Sequence, residues 1–199
     1  MNIAFTADKG GVGKSLLAFH VATRLRQLGR DVGLVDLDQR SASSAWANGT
    51  RFVAAHALPA QSGDVPPHEV LVWDTPAHPS ASMKQALQKA MDLVVVVASH
   101  DLHSQLAARD LGLALAGGLA RVVAVVNNIH PGGHEGTQIQ DALRRLGVQV
   151  LRSSVRSYRA YVHAQRDGRA VCDWPYARAD EAWSDICALT AEITETIDG

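Results

Sequence analysis

Residues 9–15 read Lys-Gly-Gly-Val-Gly-Lys-Ser and stand between a short strand pattern over 3–6 and a long helical pattern over 14–28. Glycines at such a junction let the backbone curl until successive N–H groups point inward, and the start of the helix adds positive potential. This is the architecture of a phosphate-binding loop. Lys14 is expected to reach the β- and γ-phosphates and the Ser15 hydroxyl to ligate Mg²⁺. The strict Gly-x4-Gly-Lys-Ser pattern is not met, because Asp8 stands at the first glycine position. In its place is a variant that carries a lysine, Lys9, just inside the loop.

The rest of the chain repeats the same alternation. Apolar runs at 3–6, 32–36, 70–74, 93–98, 122–127 and 148–151 are rich in Val, Ile and Leu with little polar alternation, as parallel strands covered on both faces require. Helical patterns fall at 14–28, 80–91, 104–116, 137–146, 157–166 and 179–197. Strand–helix alternation throughout predicts a single α/β domain over 1–199, a doubly wound, mainly parallel sheet with helices on both faces. The stretch 51–67 is less regular: Phe52-Val53-Ala54 reads as a further strand, and Pro59, Gly63, Pro66 and Pro67 mark a loop.

Two acidic positions follow the loop in the order a nucleotide site needs. Asp36-Leu37-Asp38 ends the second strand, on the edge where open α/β sheets bind ligands. Asp74 ends a later strand, and Thr75-Pro76-Ala77 after it forms a turn placed to sense a γ-phosphate. A strand-end aspartate taken singly is as often a helix N-cap; two in this order after this loop point to magnesium and water.

Lys9 to Ser15, Asp36-x-Asp38 and Asp74-Thr75-Pro76 together resemble the deviant Walker A ATPases of the ParA/MinD class. The likeness runs along the whole chain. The short form, with the nucleotide strand at the N-terminus, is similar to the small plasmid-partition ATPases of the ParF type, and 152–171 weakly so. The resemblance implies a P-loop NTPase fold with ATP and Mg²⁺ as cofactors, sandwiched between two subunits of a homodimer. It implies catalytic roles for Lys9, Lys14 and Asp38. Lys9 would reach the partner's phosphates, Lys14 the chain's own, and Asp38 would position the attacking water. Lys9, Gly10, Gly11, Val12, Gly13, Lys14, Ser15 and Leu16 would form the nucleotide cradle with Asp74, and Asn127 would match a base-recognition position. Ser15, Asp38 and Asp74 would serve the metal. Phosphoryl transfer depends on positioning and charge neutralisation, so these residue types suffice for it. Two departures bear on the hydrolysis rate: Asp38-Gln39-Arg40 lacks the usual proline and displaces the glutamine, and Val94 to Ala98 lacks a customary proline.

Nineteen Lys+Arg against twenty Asp+Glu give a net charge of -1, which excludes bulk electrostatic binding to nucleic acid. Locally the balance differs: between 144 and 178 stand Arg144, Arg145, Arg152, Arg156, Arg159, Arg166, Arg169 and Arg178 against Asp167 and Asp173, with Tyr158, Tyr161 and His163 interleaved. Such a run reads either as a DNA-phosphate stripe or as arginines scattered over solvated helices. The resemblance implies the first: an ATPase, slow alone, that rides on the nucleoid as an ATP dimer and partitions DNA with a ParB-like centromere-binding partner. The alternative is an ATP-dependent positioning switch on a protein partner without DNA, favoured if the stripe is broken in space. A small-molecule kinase would need an acceptor pocket with its own base, and no such constellation is legible.

Cys172 and Cys187 stand alone, which excludes a disulfide scaffold. No signal-peptide pattern opens the chain and no apolar run approaches a membrane span, so a cytoplasmic protein is expected. His100-x2-His103 and His130-x3-His134 lack a third ligand at zinc spacing. Ser99 and Ser104 sit in no nucleophile elbow. Trp46, Trp73, Trp174 and Trp183 read as packing residues. The last helix carries Trp183, Ile186, Leu189, Ile193 and Ile197 on one core-facing stripe, and its acidic end speaks against membrane anchoring.

Overall fold

The computed structural model describes residues 1–38, 43, 46, 54–57 and 65–199. Its centre is a seven-stranded sheet in the order β3-β2-β4-β1-β5-β6-β7, every pairing parallel. The strands are β1 (Asn2–Ala7), β2 (Val32–Asp36), β3 (Ala54–Ala57), β4 (Val70–Ala77), β5 (Leu93–Ser99), β6 (Arg121–Ile129) and β7 (Val150–Arg156). The helices among the described residues are α1 (Lys14–Gln27), α2 (Ala81–Ala90), α3 (Leu102–Leu115), α4 (Glu135–Arg145), α5 (Arg159–Arg166) and α6 (Ala179–Asp198), with a 3-10 turn at Val171–Asp173. The expected doubly wound α/β fold is the one observed. None of these helices is long and apolar enough to cross a membrane.

The continuous apolar runs serve both faces of the sheet, because successive side chains of a strand point to opposite sides. Ile3, Phe5, Val95 and Val97 join Leu17, Phe19, Ile186 and Leu189 on the side of α1 and α6. Ala4, Val94, Val96 and Val126 join Leu111, Leu115 and Leu143 on the side of α3 and α4. Each large side chain so buried contributes roughly 1.5–3 kcal/mol. The stripe expected on the last helix is present: Ile186, Leu189 and Ile193 are fully buried.

The last strand departs from expectation. It spans Val150–Arg156 and not 148–151, because Val148 N–H instead closes α4 on the Leu143 carbonyl at 3.1 Å, just after Gly147 in the left-handed region. The strand then runs on through the polar segment Arg152-Ser153-Ser154 at the sheet's edge. Side chains of α6 stand in for a next strand there: Glu192 accepts from the N–H groups of Arg152 and Ser153, each at 2.7 Å, and Asp185 from that of Arg156 at 2.9 Å. An edge covered in this way is disfavoured from pairing with another chain. At the opposite edge the further strand begins at Ala54; the expected Phe52 and Val53 lie outside the described residues, as do Gln39 and Arg40.

β1 sits at the switch point of the topology, with β4 on one side and β5 on the other. Its carboxyl end therefore opens into the crevice where doubly wound sheets bind ligands, and the glycine loop follows it there.

Candidate nucleotide site

The loop leaves β1 at Ala7 and enters α1 through Gly13, whose φ of 93° lies in the left-handed region, as does Gly11 at 77°. Only glycine takes these angles without strain. Gly13 has a second reason to lack a side chain: a Cβ there would fall on the Asn127 amide nitrogen. That amide donates to the Val12 carbonyl at 2.7 Å from a buried position at the end of β6. Asn127 thus straps the loop from below. It also borders a cavity of about 180 Å³ beside Gly11, Leu16, Tyr158 and Tyr161. A Cβ on Gly10 or Gly11 would meet nothing within 4 Å.

On its other side the loop borders a larger cavity of about 650 Å³, lined by residues 9–16, Asp38, Trp46, 76–78 and Gln165. β2 and β4 pair with Asp36 opposite Asp74; both carboxylates are buried, Asp74 beside Lys14, which lines the cavity as Asp38 does. Asp38 N–H donates to the Asp36 carboxylate at 3.0 Å, which turns residue 38 to the cavity wall. Lys14 and Asp74 are both buried, with Nζ 3.7 Å from the carboxylate. Burial pushes the Asp74 carboxyl up, while Lys14 and the Ser15 and Ser43 hydroxyls pull it down. Neither Asp74 oxygen has a hydrogen bond of good geometry among the described residues. A buried carboxylate beside Lys14 whose oxygens lack a well-formed hydrogen bond, next to a serine hydroxyl and a curled run of N–H groups, fits a divalent cation carried on a phosphate chain. Mg²⁺ keeps most of its waters and takes few protein ligands, in keeping with the lack of any three-residue His/Cys/Asp/Glu cluster among the described residues.

Lys9 does not point at its own chain's crevice floor. Its ammonium lies 2.6 Å from Asp101, the residue that caps α3. Asp101 also accepts from Ser99 Oγ at 2.7 Å and Ser104 N–H at 2.9 Å. Lys9 above all, then these two bonds, holds its carboxyl well below the usual carboxylate range. With 41% of its side chain exposed, Lys9 stands at the mouth of the site.

The arginines separate into two groups. Arg144 pairs with Asp141, Arg152 with Glu192 and Glu195, Arg156 with Asp185 and Arg178 with Glu181. Arg145, Arg159, Arg166 and Arg169 are exposed and have no carboxylate within 4 Å among the described residues. The stripe is therefore interrupted. Of the interleaved aromatics, Tyr158 and Tyr161 turn inward and are buried, because they face α1 and α6; only His163 stays outside.

Four residues of the site carry no local signal. Asp101 lies 92 positions from Lys9 and reads only as a helix cap. Trp46 stacks on Phe19 at 4.6 Å and donates its indole N–H to the Arg169 carbonyl at 2.7 Å, yet also lines the large cavity. His78, with φ 56° and its ring 3.3 Å from Asp8, and Gln165 complete the wall.

The chain is similar in sequence and in fold to known proteins. The sequence profile of the CobQ/CobB/MinD/ParA nucleotide-binding domain matches residues 3–171. The maintenance of carboxysome distribution protein A of Gloeobacter kilaueensis is 25% identical over 201 residues, covering 96% of this chain and 93% of its own length. The protein of the same name from Halothiobacillus neapolitanus is 27% identical over 217 residues, covering 96% and 97%. Among solved structures, the septum site-determining protein MinD of Pyrococcus horikoshii, in complex with Mg-ADP, superposes with a TM-score of 0.70 at 15% identity. That match covers 98% of each chain.

Proposed function

The chain belongs to the CobQ/CobB/MinD/ParA family of nucleotide-binding domains, and from that premise we propose that it is a MgATP-dependent positioning ATPase that dimerises around its nucleotide and acts through a protein partner. Lys14 and Ser15 hold the chain's own phosphates and metal, Asp74 steadies the metal through water, and Asp38 positions the water that attacks. Lys9 neutralises charge on the nucleotide of the other subunit, so hydrolysis depends on association and is slow without it. The observation that carries this reading is the position of Lys9, exposed at the mouth of the crevice and held off its floor by Asp101. Both carboxysome-distribution proteins among its relatives are named for placing a cargo, which supports positioning as the task.

Light scattering of the apo, ADP and Mg²⁺–nonhydrolysable-ATP states tests it. The dimer should appear only with the analogue and vanish in Lys9→Ala. A monomer in every state removes the role given to Lys9.

The exposed Arg145, Arg159, Arg166 and Arg169 favour one further reading, retention of the ATP dimer on random-sequence DNA, with a ParB-like protein as the stimulating partner. It stands second because half of the basic run is spent on internal ion pairs. Co-sedimentation with duplex DNA at rising salt separates the two: contacts to phosphates weaken steeply with salt, and a protein-directed switch leaves the DNA in solution.

A further inference from the structure

The outer face of α5 carries an exposed stripe next to a cluster of aromatic rings. Ala160, Tyr161 and Ala164 are buried against the domain, while Arg159, Val162, His163 and Arg166 are exposed along one stripe at i, i+3, i+4 and i+7. Trp174 lies parallel to His163, with ring centres 5.8 Å apart and planes 8° from each other. Tyr176 leans on Trp174 at 4.8 Å and is 66% exposed. Together with Arg159 these rings border a cleft of about 480 Å³.

Two features ask for an occupant. Apolar and aromatic surface stands in water, with Val162 half exposed beside it. Arg159 lines it and Arg166 follows on the same stripe of α5, three residues beyond His163; neither has a carboxylate within 4 Å among the described residues, although Arg152 and Arg156 nearby in sequence are both paired. We propose that this cleft docks an acidic segment of a partner protein. An aromatic or leucine side chain of the segment settles into the cleft against the ring cluster, and its carboxylates meet Arg159 and, one turn beyond His163, Arg166. The proposal rests on the positioning reading in that a protein partner must exist.

Charge and shape choose a peptide over nucleic acid. Duplex DNA offers a phosphate about every 1.7 Å of axis and rewards a long cationic track, whereas an eight-residue helix spans about 12 Å. A phosphate backbone also leaves an aromatic hollow unfilled. A side-chain anchor in a hydrophobic pocket with charged groups at the rim is how peptide segments gain affinity.

The test uses the full-length protein with Mg²⁺ and a nonhydrolysable ATP analogue. A random peptide display library is selected on it and counter-selected on the Arg159→Glu/Tyr176→Ser double variant. Enriched peptides should combine Asp or Glu with Trp, Phe or Leu. A synthetic copy should bind each single variant about tenfold more weakly than the parent, the loss of one good anchor. Both variants should keep the parent's thermal midpoint and its analogue-driven dimer. Enrichment without acidic bias, or equal binding to the variants, overturns the proposal. So does Arg159-dependent capture of random duplex DNA with no acidic peptide enriched. Failure of the positioning reading shows elsewhere, as absence of the dimer in light scattering.

Discussion

Asp101 caps α3 through the Ser104 N–H at 2.9 Å and with the same carboxylate oxygen holds the Lys9 ammonium at 2.6 Å. The lysine proposed to act across the dimer is thus tethered within its own subunit until something stronger draws it away. A half-exposed ion pair is worth about 0.2–1 kcal/mol, small against phosphate oxygens and large enough to bias the resting state. Asp101→Asn keeps a capping oxygen and removes the charge. It should lower the analogue concentration for half-maximal dimerisation by about two- to fivefold, read by light scattering. Asp101→Ala should additionally cost about 1 kcal/mol of stability through the lost cap. An unchanged dimerisation curve in Asp101→Asn would show that the tether holds nothing back.

Gly13 and Asn127 form a second coupled pair. Gly13→Ala meets both a left-handed φ and the Asn127 amide, so nucleotide binding should fall by at least about tenfold in a titration with a fluorescent ATP analogue. Asn127→Ala relieves the crowding and lets go of Val12. The double variant should recover part of the Gly13→Ala loss, because residues in contact do not add. Strict additivity would mean that the strap does not set the loop.

The open oxygens of Asp74 make a metal-linked prediction. Asp74→Asn leaves the buried volume nearly unchanged but takes the carboxylate from beside the buried Lys14 ammonium, so the protein without nucleotide should melt lower than the parent. ATP with Mg²⁺ should raise the parent's thermal midpoint more than ATP with a chelator does, and Asp74→Asn should narrow that difference. An equal response to magnesium in both proteins would place the metal elsewhere.

His20 gives the fold a pH limit. It is fully buried, with Nδ1 on the Leu16 carbonyl at 2.8 Å and Nε2 accepting the Val171 N–H at 3.1 Å. Burial, opposed by the Leu16 bond, lowers its pKa from 6.5 to about 4. The unfolded chain therefore binds a proton that the folded chain refuses between these values. Stability is complete above pH 6.5 and declines as pH falls towards 4, by about 3 kcal/mol from this residue alone. Urea midpoints at pH 7 and pH 5 should differ in the parent, and less so in His20→Gln.

Much of this molecule was legible before its structure. The glycine loop needs only its neighbours in sequence to be recognised, and the Val-rich runs announce buried parallel strands because both faces are covered. Asp36 and Asp74 could be paired with the loop because strand ends gather on one edge of such a sheet. What escaped was set by partners far along the chain. Nothing local says that Arg152-Ser153-Ser154 is strand, since the N–H groups of Arg152 and Ser153 are satisfied by Glu192 on α6. Nothing near Lys9 points to Asp101. The arginine run looked continuous because sequence shows charges without their counter-ions, and Asp185 and Glu192 lie about 30 and 40 residues downstream of their partners. The burial of Tyr158 and Tyr161 is likewise decided far along the chain, by packing that includes α6.

Glu192 and Asp185 do more than neutralise arginines. By occupying the N–H groups of Arg152, Ser153 and Arg156 they obstruct lateral growth on that flank of the molecule, so a second copy is disfavoured from extending the sheet there. Burial alone would raise the Glu192 carboxyl, yet the bonds from Arg152 and Ser153 keep it below its ordinary value, so the closure persists into mild acid. The association proposed above is thereby left to the crevice, where the nucleotide would decide it. If the protein assembles and comes apart on a nucleotide signal, as proposed, it gains from having one constitutive route to self-adhesion obstructed.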